Sequence, residues 1–227
     1  MIQFDMITIF PKIFDSYFKE SIIKRAQKRK LIKIKIHNLR DFTKDVHRTV
    51  DDRPYGGGPG MILKVDIIFK AIKNILQKNK RITKKQRKII LLSAKGKKFD
   101  QKKAKQLSNL KQIIFICGRY EGVDERVAKH IADEEISIGD YVLTGGEVPA
   151  MVILDAVSRL IPGVIKKDSL EEESFSTGLK EYPQYTRPEV FNPGKDKRNW
   201  QVPKVLLSGH HKKIKDWKEK HSTALEK

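Results

Sequence analysis

The chain has 227 residues, 39% hydrophobic and 33% charged, so it can form one sizeable domain with a small appendage and needs no disulfides for stability. Its apolar runs are shorter than the roughly 20 residues of a membrane-spanning helix, its start lacks the pattern of a signal peptide, and it has a single cysteine, so we expect a cytoplasmic protein without a membrane partner. A net charge of +20, from 48 Lys and Arg against 28 Asp and Glu, favours a polyanionic partner, above all nucleic acid, although a lysine-rich composition of the whole genome is an alternative explanation.

The first third of the chain alternates between strand and helix patterns. Period-two alternation predicts strands over residues 2–8 and 32–36. Apolar residues at helical spacing predict one amphipathic helix over residues 13–26 and another over residues 65–76. A long loop, from about residue 40 to residue 60, is expected between the second strand and the second helix.

The same alternation continues through the middle of the chain. Short apolar runs at residues 89–93 and 113–117 predict strands on either side of a helix over about 100–110, and a further strand is expected at 135–138. Residues 148–161 are apolar on nearly all sides, which predicts a buried helix. The sequence therefore predicts an α/β fold with a mostly parallel sheet, in which ligands bind beyond the carboxyl ends of the strands.

Composition changes sharply after the buried helix. Pro162-Gly163 ends it, and a polar stretch follows. We predict an α/β domain over residues 1–162, an interdomain linker over residues 163–179 and a small helical domain over residues 180–227.

Three glycine-bearing loops follow predicted strands, and their shared position carries the functional signal. They are residues 51–60, with four glycines, residues 117–126 and residues 138–147. Glycines let main-chain donors and acceptors approach an anion or read the edge of a purine. The loops match neither a Walker motif nor a dinucleotide-binding motif. Flexible turns and an ion-paired helix start are the alternative interpretations.

Charged residues outside the loops leave more than one interpretation open. Arg159 ends an apolar helix and needs an acceptor, either Asp155 one turn earlier or a ligand in the site. The carboxylates of residues 171–173 form a cluster in the linker, for which simple solvation is the alternative. Cys117 is expected to be a core residue, and the pair His210-His211 is poorly arranged for one metal ion, so no metal site is predicted.

Six strings keep one order and spacing over nearly the entire chain: Asp51–Met61, Cys117–Arg126, Ile138–Glu147, Ser158-Arg159 with Ile161–Gly163, Tyr185–Pro188 and Leu206–His210. Together they resemble the bacterial tRNA (guanine-N1)-methyltransferases, the TrmD family of the SPOUT superfamily. The resemblance implies that residues 1–162 carry a deep trefoil knot that binds S-adenosylmethionine, and that residues 180–227 bind tRNA. It implies methyl transfer to ring nitrogen 1 of guanine at tRNA position 37, 3′ of the anticodon, by a homodimer whose active sites lie at the interface.

The resemblance also implies the roles of individual residues. Glu173 is expected to remove the proton from the guanine nitrogen, with assistance from Arg159. The family usually has Asp at position 173, so Glu172 or Asp168 are alternative bases. The expected cofactor contacts are Gly118, Tyr120, Glu121, Ile138, Gly139, Asp140, Tyr141, Val142, Leu143, Gly145 and Gly146. The expected RNA contacts are Arg53, Tyr55 and Gly58.

Two further expectations concern cofactors and competing functions. Relatives are often assisted by Mg²⁺, although the sequence contains no obvious preformed metal cage. Position 94 is Ala where the family usually has Pro, which is expected to loosen one cofactor-contacting loop. The competing functions are a SPOUT methyltransferase acting on another RNA and a basic RNA-binding protein without enzymatic activity.

Overall fold

The fold is described from a computed structural model, for residues 1–166, 179–180, 182–194 and 198–224. The chain divides into two compact units, Met1–Ile165 and Lys166–Lys227. Over the described ranges, no helix combines the length and the apolar character that crossing a membrane requires.

The strands and helices of the described residues follow the alternation that the sequence predicts. The strands are β1 (Ile2–Thr8), β2 (Ile32–Asn38), β3 (Asp51–Asp52), β4 (Ile62–Leu63), β5 (Arg87–Lys98), β6 (Gln112–Cys117), β7 (Glu134–Ser137), β8 (Leu179–Lys180), β9 (Val190–Phe191), β10 (Trp200–Gln201) and β11 (Thr223–Ala224). The α-helices are α1 (Asp15–Phe18), α2 (Ser21–Lys28), α3 (Val65–Lys78), α4 (Gln101–Ser108), α5 (Glu125–His130), α6 (Glu147–Arg159), α7 (Lys204–Leu207) and α8 (His211–His221).

A five-stranded sheet in the order β2-β1-β6-β5-β7 forms the centre of the first unit, and all its strand pairs are parallel. The predicted α/β fold with a mostly parallel sheet is therefore confirmed. Every residue of β1 and β6 is buried, because helices cover both faces of a parallel sheet. Phe4 and Phe115 face the cluster that contains α6, and Ile7 and Ile114 face the cluster that contains α3.

The prediction of one continuous first helix is wrong, because the segment is broken into three short helices. Instead of one helix over residues 13–26, the chain forms a 3₁₀ helix at Pro11–Phe14 and then α1 and α2, separated by Lys19-Glu20. Ser21, at the start of α2, has a positive φ of 48°, and the side chain of Gln27 donates a hydrogen bond to the carbonyl of Phe18 at 2.7 Å. The turn between the helices lets apolar residues of both segments join one core cluster.

β5 is longer than the apolar run that predicts it. It pairs with β7 from Ile90 to Leu92, and the pairing resumes five residues later at Lys97, after a shift of register. At Gly96 a side chain would collide with the main chain of Ile136. The irregular segment of β5 therefore lies closely against β7 at the carboxyl end of the sheet.

A buried carboxylate lies in the middle of β1. Asp5 is fully buried and accepts hydrogen bonds from the side chains of Gln3 at 2.8 Å, Gln112 at 2.7 Å and His37 at 2.8 Å. A buried carboxylate needs such partners, because without them its desolvation would cost several kcal/mol. These four residues form the Asp5 cluster, and none of them lines the cavity described below.

The second unit has short elements. β8 pairs with β11, and β9 pairs with β10, both antiparallel. On α8 the ring of Trp217 stacks on His221 at 4.1 Å and lies edge-on to Tyr185 at 6.3 Å. The sequence predicts a helix over about 209–225, and the structure has α8 within that range, at His211–His221.

Candidate functional site

A cavity of about 270 Å³ lies at the carboxyl edge of the sheet of the first unit. Its walls are the irregular part of β5, the end of β7 and the loops that follow β6 and β7, as expected for a ligand site at the carboxyl end of a parallel sheet. Its lining contains Leu91–Lys95, Gly118–Val123, Glu125, Ala128, Glu135–Gly139, Tyr141–Gly146 and Pro149. Two of the three glycine-bearing loops that the sequence singles out thus meet at this cavity.

Gly145 and Gly146 permit the close approach of these two loops. The amide of Gly146 donates a hydrogen bond to the carbonyl of Gly118 at 2.9 Å. A Cβ atom at Gly146 would lie 2.7 Å from the Cα atom of Cys117, and one at Gly145 would collide with the side chain of Arg119. Contacts this close require a residue without a side chain, so the glycines bring main-chain groups to the cavity wall.

A buried carboxylate next to the cavity connects the two cavity loops to the end of β1. Glu147, the first residue of α6, is 1% exposed. Its Oε1 accepts a hydrogen bond from the hydroxyl of Thr8 at 2.6 Å, and its Oε2 accepts one from Nε of Arg119 at 2.9 Å. Arg119 also donates to the carbonyl of Thr144 at 3.1 Å, and its guanidinium lies 4.9 Å from the centre of the Phe10 ring. We call Thr8, Arg119 and Glu147 the Glu147 cluster. It ties the end of β1 to both cavity loops.

The cavity lining is acidic although the chain is strongly basic. Carboxylates of Glu121, Glu125 and Glu135 line it, against the cations of Lys95 and Arg119, and Glu147 already neutralises Arg119. Such a lining favours a ligand that carries positive charge, because opposite charges attract more strongly in a partly desolvated cavity than in water.

The loop of residues 51–61 is anchored to the cavity wall at its end. The amide of Glu121 donates to the carbonyl of Met61 at 3.1 Å, and the amide of Leu63 donates to the carbonyl of Gly122 at 3.0 Å. Tyr120, next to this junction, has a positive φ of 59°, which is uncommon for a residue other than glycine. Such strained residues concentrate at ligand sites.

The predicted RNA contacts are exposed and lie outside the cavity lining. Tyr55 is fully exposed, Arg53 is exposed, and Gly58 has a positive φ of 114° with no atom within 4 Å of its Cβ position. All three are accessible to a large partner.

The structure brings all the expected cofactor residues to the cavity lining except Asp140. The side chain of Asp140 is 81% exposed and forms an ion pair with Lys98 at 2.5 Å. Sequence reasoning did not assign Arg119, Glu125 or Glu135 to the site. For Arg119 the signal was present, because it lies between two expected contacts in a loop that directly follows a buried strand.

Only one of the two expected catalytic residues, Arg159, lies within the described residues. Arg159 is the last residue of α6 and does not line the cavity, and Glu173, like its alternatives Glu172 and Asp168, lies outside the described residues. Arg159 lies near Asp155 and Tyr17: burial and the carboxylate of Asp155 raise the pKa of the Tyr17 hydroxyl, whereas Arg159 opposes that shift.

Neither metal ligands nor a reactive thiol are evident in the part of the chain that the structure describes. Within that part, no three His, Cys, Asp or Glu residues form a group that could hold a metal ion. Cys117 is buried, and desolvation together with the carboxylate of Glu147 raises the pKa of its thiol well above the ordinary value. This cysteine therefore belongs to the core.

Comparison with known proteins gives a consistent set of relatives. The model of the family described as tRNA (Guanine-1)-methyltransferase TrmD matches residues 2–226. Proteins named tRNA (guanine-N(1)-)-methyltransferase are similar to the chain over most of its length. The one from Dictyoglomus turgidum is 54% identical, covering 98% of this chain and 85% of the relative. Those from Dehalococcoides mccartyi strain 195 and Carboxydothermus hydrogenoformans are 51% and 53% identical, covering 97% of this chain and 85% and 82% of the relatives.

Proposed function

Because the chain belongs to the tRNA (guanine-1)-methyltransferase family, we propose that its acidic cavity binds S-adenosylmethionine and that it methylates ring nitrogen 1 of guanine at position 37 of tRNA. The family match carries the class of reaction. The position of the cavity and the character of its lining support the choice of methyl donor.

The cavity residues fit this donor in shape and charge. S-adenosylmethionine carries positive charges on its sulfonium and ammonium groups, which complement the carboxylates of Glu121, Glu125 and Glu135. Main-chain groups of residues 138–146 can bind the edges of adenine while Val142 and Leu143 cover its faces. When bound, the donor supplies an electrophilic methyl group on a positively charged sulfur.

We further propose that residues 1–162 carry the trefoil knot of the SPOUT superfamily. Segments distant in sequence are closely interleaved at the cavity: Gly96 packs on the main chain of Ile136, and Gly146 packs on that of Cys117. Knots are rare in proteins, so the resemblance is the reason for this proposal, and the close packing supports it.

The proposed chemistry needs a base and a cation. Nitrogen 1 of neutral guanine carries a proton, so a positioned carboxylate must accept it, while a cation stabilises the charge that develops on the neighbouring carbonyl oxygen. We assign these roles to Glu173 and Arg159. Guanine must leave its stack to reach such a site, which costs least in a single-stranded loop.

We propose that the enzyme acts as a homodimer. Arg159 does not line the cavity of its own chain, and a second copy could supply this side chain to the donor bound in the cavity. Apolar side chains near the cavity are exposed and available for a partner: Tyr141, Val142, Val148 and Val152. Sedimentation of the protein at micromolar concentration as a species of 26.3 kDa would contradict this proposal.

A methylation assay tests the function directly. Unmodified tRNA with two adjacent guanines 3′ of the anticodon is incubated with the protein and S-adenosylmethionine, and mass spectrometry of the digested RNA locates the methyl group. We expect 1-methylguanosine at position 37. A methyl group at another position would indicate a different RNA specificity, and undetectable donor binding at millimolar concentration would favour an RNA-binding protein without enzymatic activity.

The base and the metal are tested separately. Glu173→Gln is expected to abolish turnover while sparing donor affinity, because the change removes the proton acceptor and keeps the size of the side chain. Near-normal activity of this variant would transfer the role to Glu172 or Asp168. Titration of Mg²⁺ into metal-free protein during the same assay tests whether the proposed reaction is assisted by this ion.

A further inference from the structure

The positive charge of the chain is concentrated in three segments. Residues 24–35, 73–88 and 102–111 contain 19 of the 48 Lys and Arg residues and none of the 28 Asp and Glu residues. The remainder of the chain is nearly neutral, with 29 basic against 28 acidic residues. A uniform compositional drift would spread basic residues over the whole chain, so it does not account for this distribution.

The fold brings these segments together at the amino edge of the sheet. β2, β1, β6 and β5 are neighbours and begin level with each other, at Ile32, Ile2, Gln112 and Arg87. The residues that precede these starts are joined by main-chain hydrogen bonds. The amide of Ile2 donates to Leu31 at 3.2 Å, that of Gln3 donates to Lys111 at 2.9 Å, and that of Lys111 donates to Gln86 at 2.8 Å.

Nine exposed basic residues of these segments form what we call the basic edge: Lys28, Lys30, Lys78, Lys80, Arg81, Lys84, Lys85, Lys105 and Lys111. Because the strands are parallel, the basic edge lies on the side of the sheet opposite to the cavity, about 20 Å away given a rise of about 3.3 Å per residue along β1. A ligand at the basic edge therefore need not compete with one in the cavity.

Structural roles explain only part of the basic edge. Lys28, Lys78 and Lys105 lie in the last turns of helices, where cations stabilise the helix dipole. Lys30, Lys80, Arg81 and Lys111 lie beyond the ends of the α-helices, where this effect has faded. Lys84 and Lys85 lie in the 3₁₀ helix Lys84–Gln86, whose single turn carries only a small dipole. Among the residues that the structure describes, none of the nine forms an ion pair, whereas Lys19, Lys70 and Lys129 elsewhere on this unit pair with acids one turn away.

We propose that the basic edge is a second RNA-binding surface, which binds the phosphates of a double-helical RNA stem without reading its bases. Closely spaced cations without carboxylates match the charge of a nucleic acid backbone. Apart from Met1, no large exposed apolar side chain is found in this part of the described surface, so it offers neither a group for insertion into lipid nor a ring for stacking on an unpaired base. RNA stems are recognised mostly through shape and backbone contacts.

Two triple variants test the proposal. The edge variant replaces Lys80, Lys84 and Lys85 by Gln, and the matched control replaces the acid-paired Lys19, Lys70 and Lys129 by Gln. The probe is a fluorescent RNA duplex of about 16 base pairs, the span of a typical double-stranded RNA-binding domain. Its dissociation constant is measured by anisotropy over a range of salt concentrations, with the methyl donor present in excess.

We expect the edge variant to bind the duplex up to about 100-fold more weakly at about 0.1 M salt. The slope of log Kd against log salt should fall by about 2, because each phosphate contact contributes roughly 0.7 to 0.9. The control should stay within about threefold of the unmodified protein. Equal effects of the two triple variants would overturn the proposal. The proposal would also be overturned if the edge variant lost binding to vesicles containing phosphatidylserine but kept its affinity for the duplex, since the surface would then bind a membrane and not RNA.

The activity of the same proteins separates this proposal from the proposed function. The edge variant should methylate an isolated anticodon-arm RNA at the unmodified rate, because its cavity is unchanged. If the unmodified protein and the edge variant both fail to methylate this RNA while only the edge variant binds the duplex more weakly, the proposed reaction is refuted and the proposed RNA-binding surface is supported. If the unmodified protein and the edge variant both methylate this RNA and bind the duplex with equal affinity, the proposed RNA-binding surface is refuted and the proposed reaction is supported.

Discussion

The Glu147 cluster provides the sharpest test of how the fold builds the cavity. In Glu147→Gln the side chain keeps its size but loses its charge. If the Gln oxygen accepts from Thr8, its amide group faces the Nε–H of Arg119, and two donors then meet. In the reverse orientation the Gln amide faces the Thr8 hydroxyl oxygen, which already accepts from the amide of Phe10 at 2.9 Å, and the hydroxyl hydrogen loses the carboxylate oxygen that accepted it. One charge-assisted hydrogen bond is lost in either case, which costs about 2 to 3 kcal/mol of stability.

The expected effect on the donor follows from Arg119. Its guanidinium lines the cavity, holds the carbonyl of Thr144 at 3.1 Å and lies against Gly145. Without its carboxylate partner this side chain is no longer fixed. We expect calorimetry to give a dissociation constant for S-adenosylmethionine that is about 10- to 100-fold higher, equivalent to about 1.4 to 2.8 kcal/mol.

The Asp5 cluster supplies a matched control. Asp5 is as buried as Glu147, and its partner His37 is about as exposed as Arg119, with side-chain exposures of 16% and 18%. Asp5→Asn therefore breaks a comparable interaction away from the cavity and should lower the melting temperature by a similar amount. We expect its donor affinity to stay within about twofold of the unmodified protein.

The comparison of the two variants decides the role of Glu147. Loss of stability in both, with unchanged donor affinity in both, would mean that the Glu147 cluster only stabilises the fold and would refute the reasoning. Thr8→Val offers a second measurement, since it removes one hydroxyl and keeps the shape. Its effect on donor affinity should be smaller than that of Glu147→Gln, and the effects should not add in the double variant, because the three residues form one network.

Three further predictions concern glycine packing, the buried thiol and an acidic side chain of β7. Gly146→Ala places a Cβ atom 2.7 Å from the Cα atom of Cys117, so we expect at least tenfold weaker donor binding by calorimetry, and unchanged affinity would contradict the packing. The thiol of Cys117 should react with iodoacetamide more than about 100-fold more slowly in the native than in the unfolded protein, because burial raises its pKa; rapid labelling of the native protein would show that it is accessible. Burial of Glu134 raises the pKa of its carboxyl, but Lys103 and Lys88 lower it more, to below the ordinary 4.5. The ionised carboxylate therefore stabilises the fold above pH 4.5, and this contribution disappears as the pH falls through the folded pKa. By urea unfolding, Glu134→Gln should lower the free energy of unfolding by about 1 kcal/mol at pH 7 and by little at pH 3.

The sequence predicts the sheet and most of the cavity because both depend on local patterns. Buried parallel strands appear as short apolar runs, and loops at their carboxyl ends face one edge, so the residues after β6 and β7 could be assigned to a site before their contacts were known. The break between α1 and α2 could not be predicted in this way. The apolar spacing of residues 13–26 continues across it, whereas the break depends on the positive φ of Ser21 and on core packing.

Long-range contacts explain the other differences between sequence and structure. Asp140 lies between two cavity residues in sequence, but Lys98, from the far end of β5, pairs with it outside the lining. The role of Glu147 depends on Thr8, 139 residues earlier in the chain. Such pairs follow from the three-dimensional arrangement of β1, β5 and α6, for which a single sequence contains no periodic signal.

The distribution of charge links the two ends of the sheet. A strongly basic protein attracts RNA from a distance, but a cavity of the same sign would repel a methyl donor with a net positive charge. The acidic lining removes this conflict locally, because Glu121, Glu125 and Glu135 outnumber Lys95 and Arg119 there, while the nine cations of the basic edge lie at the opposite end of the sheet. Replacing Glu125 by Gln should therefore weaken donor binding with little change in RNA affinity, whereas the triple lysine variant should do the reverse.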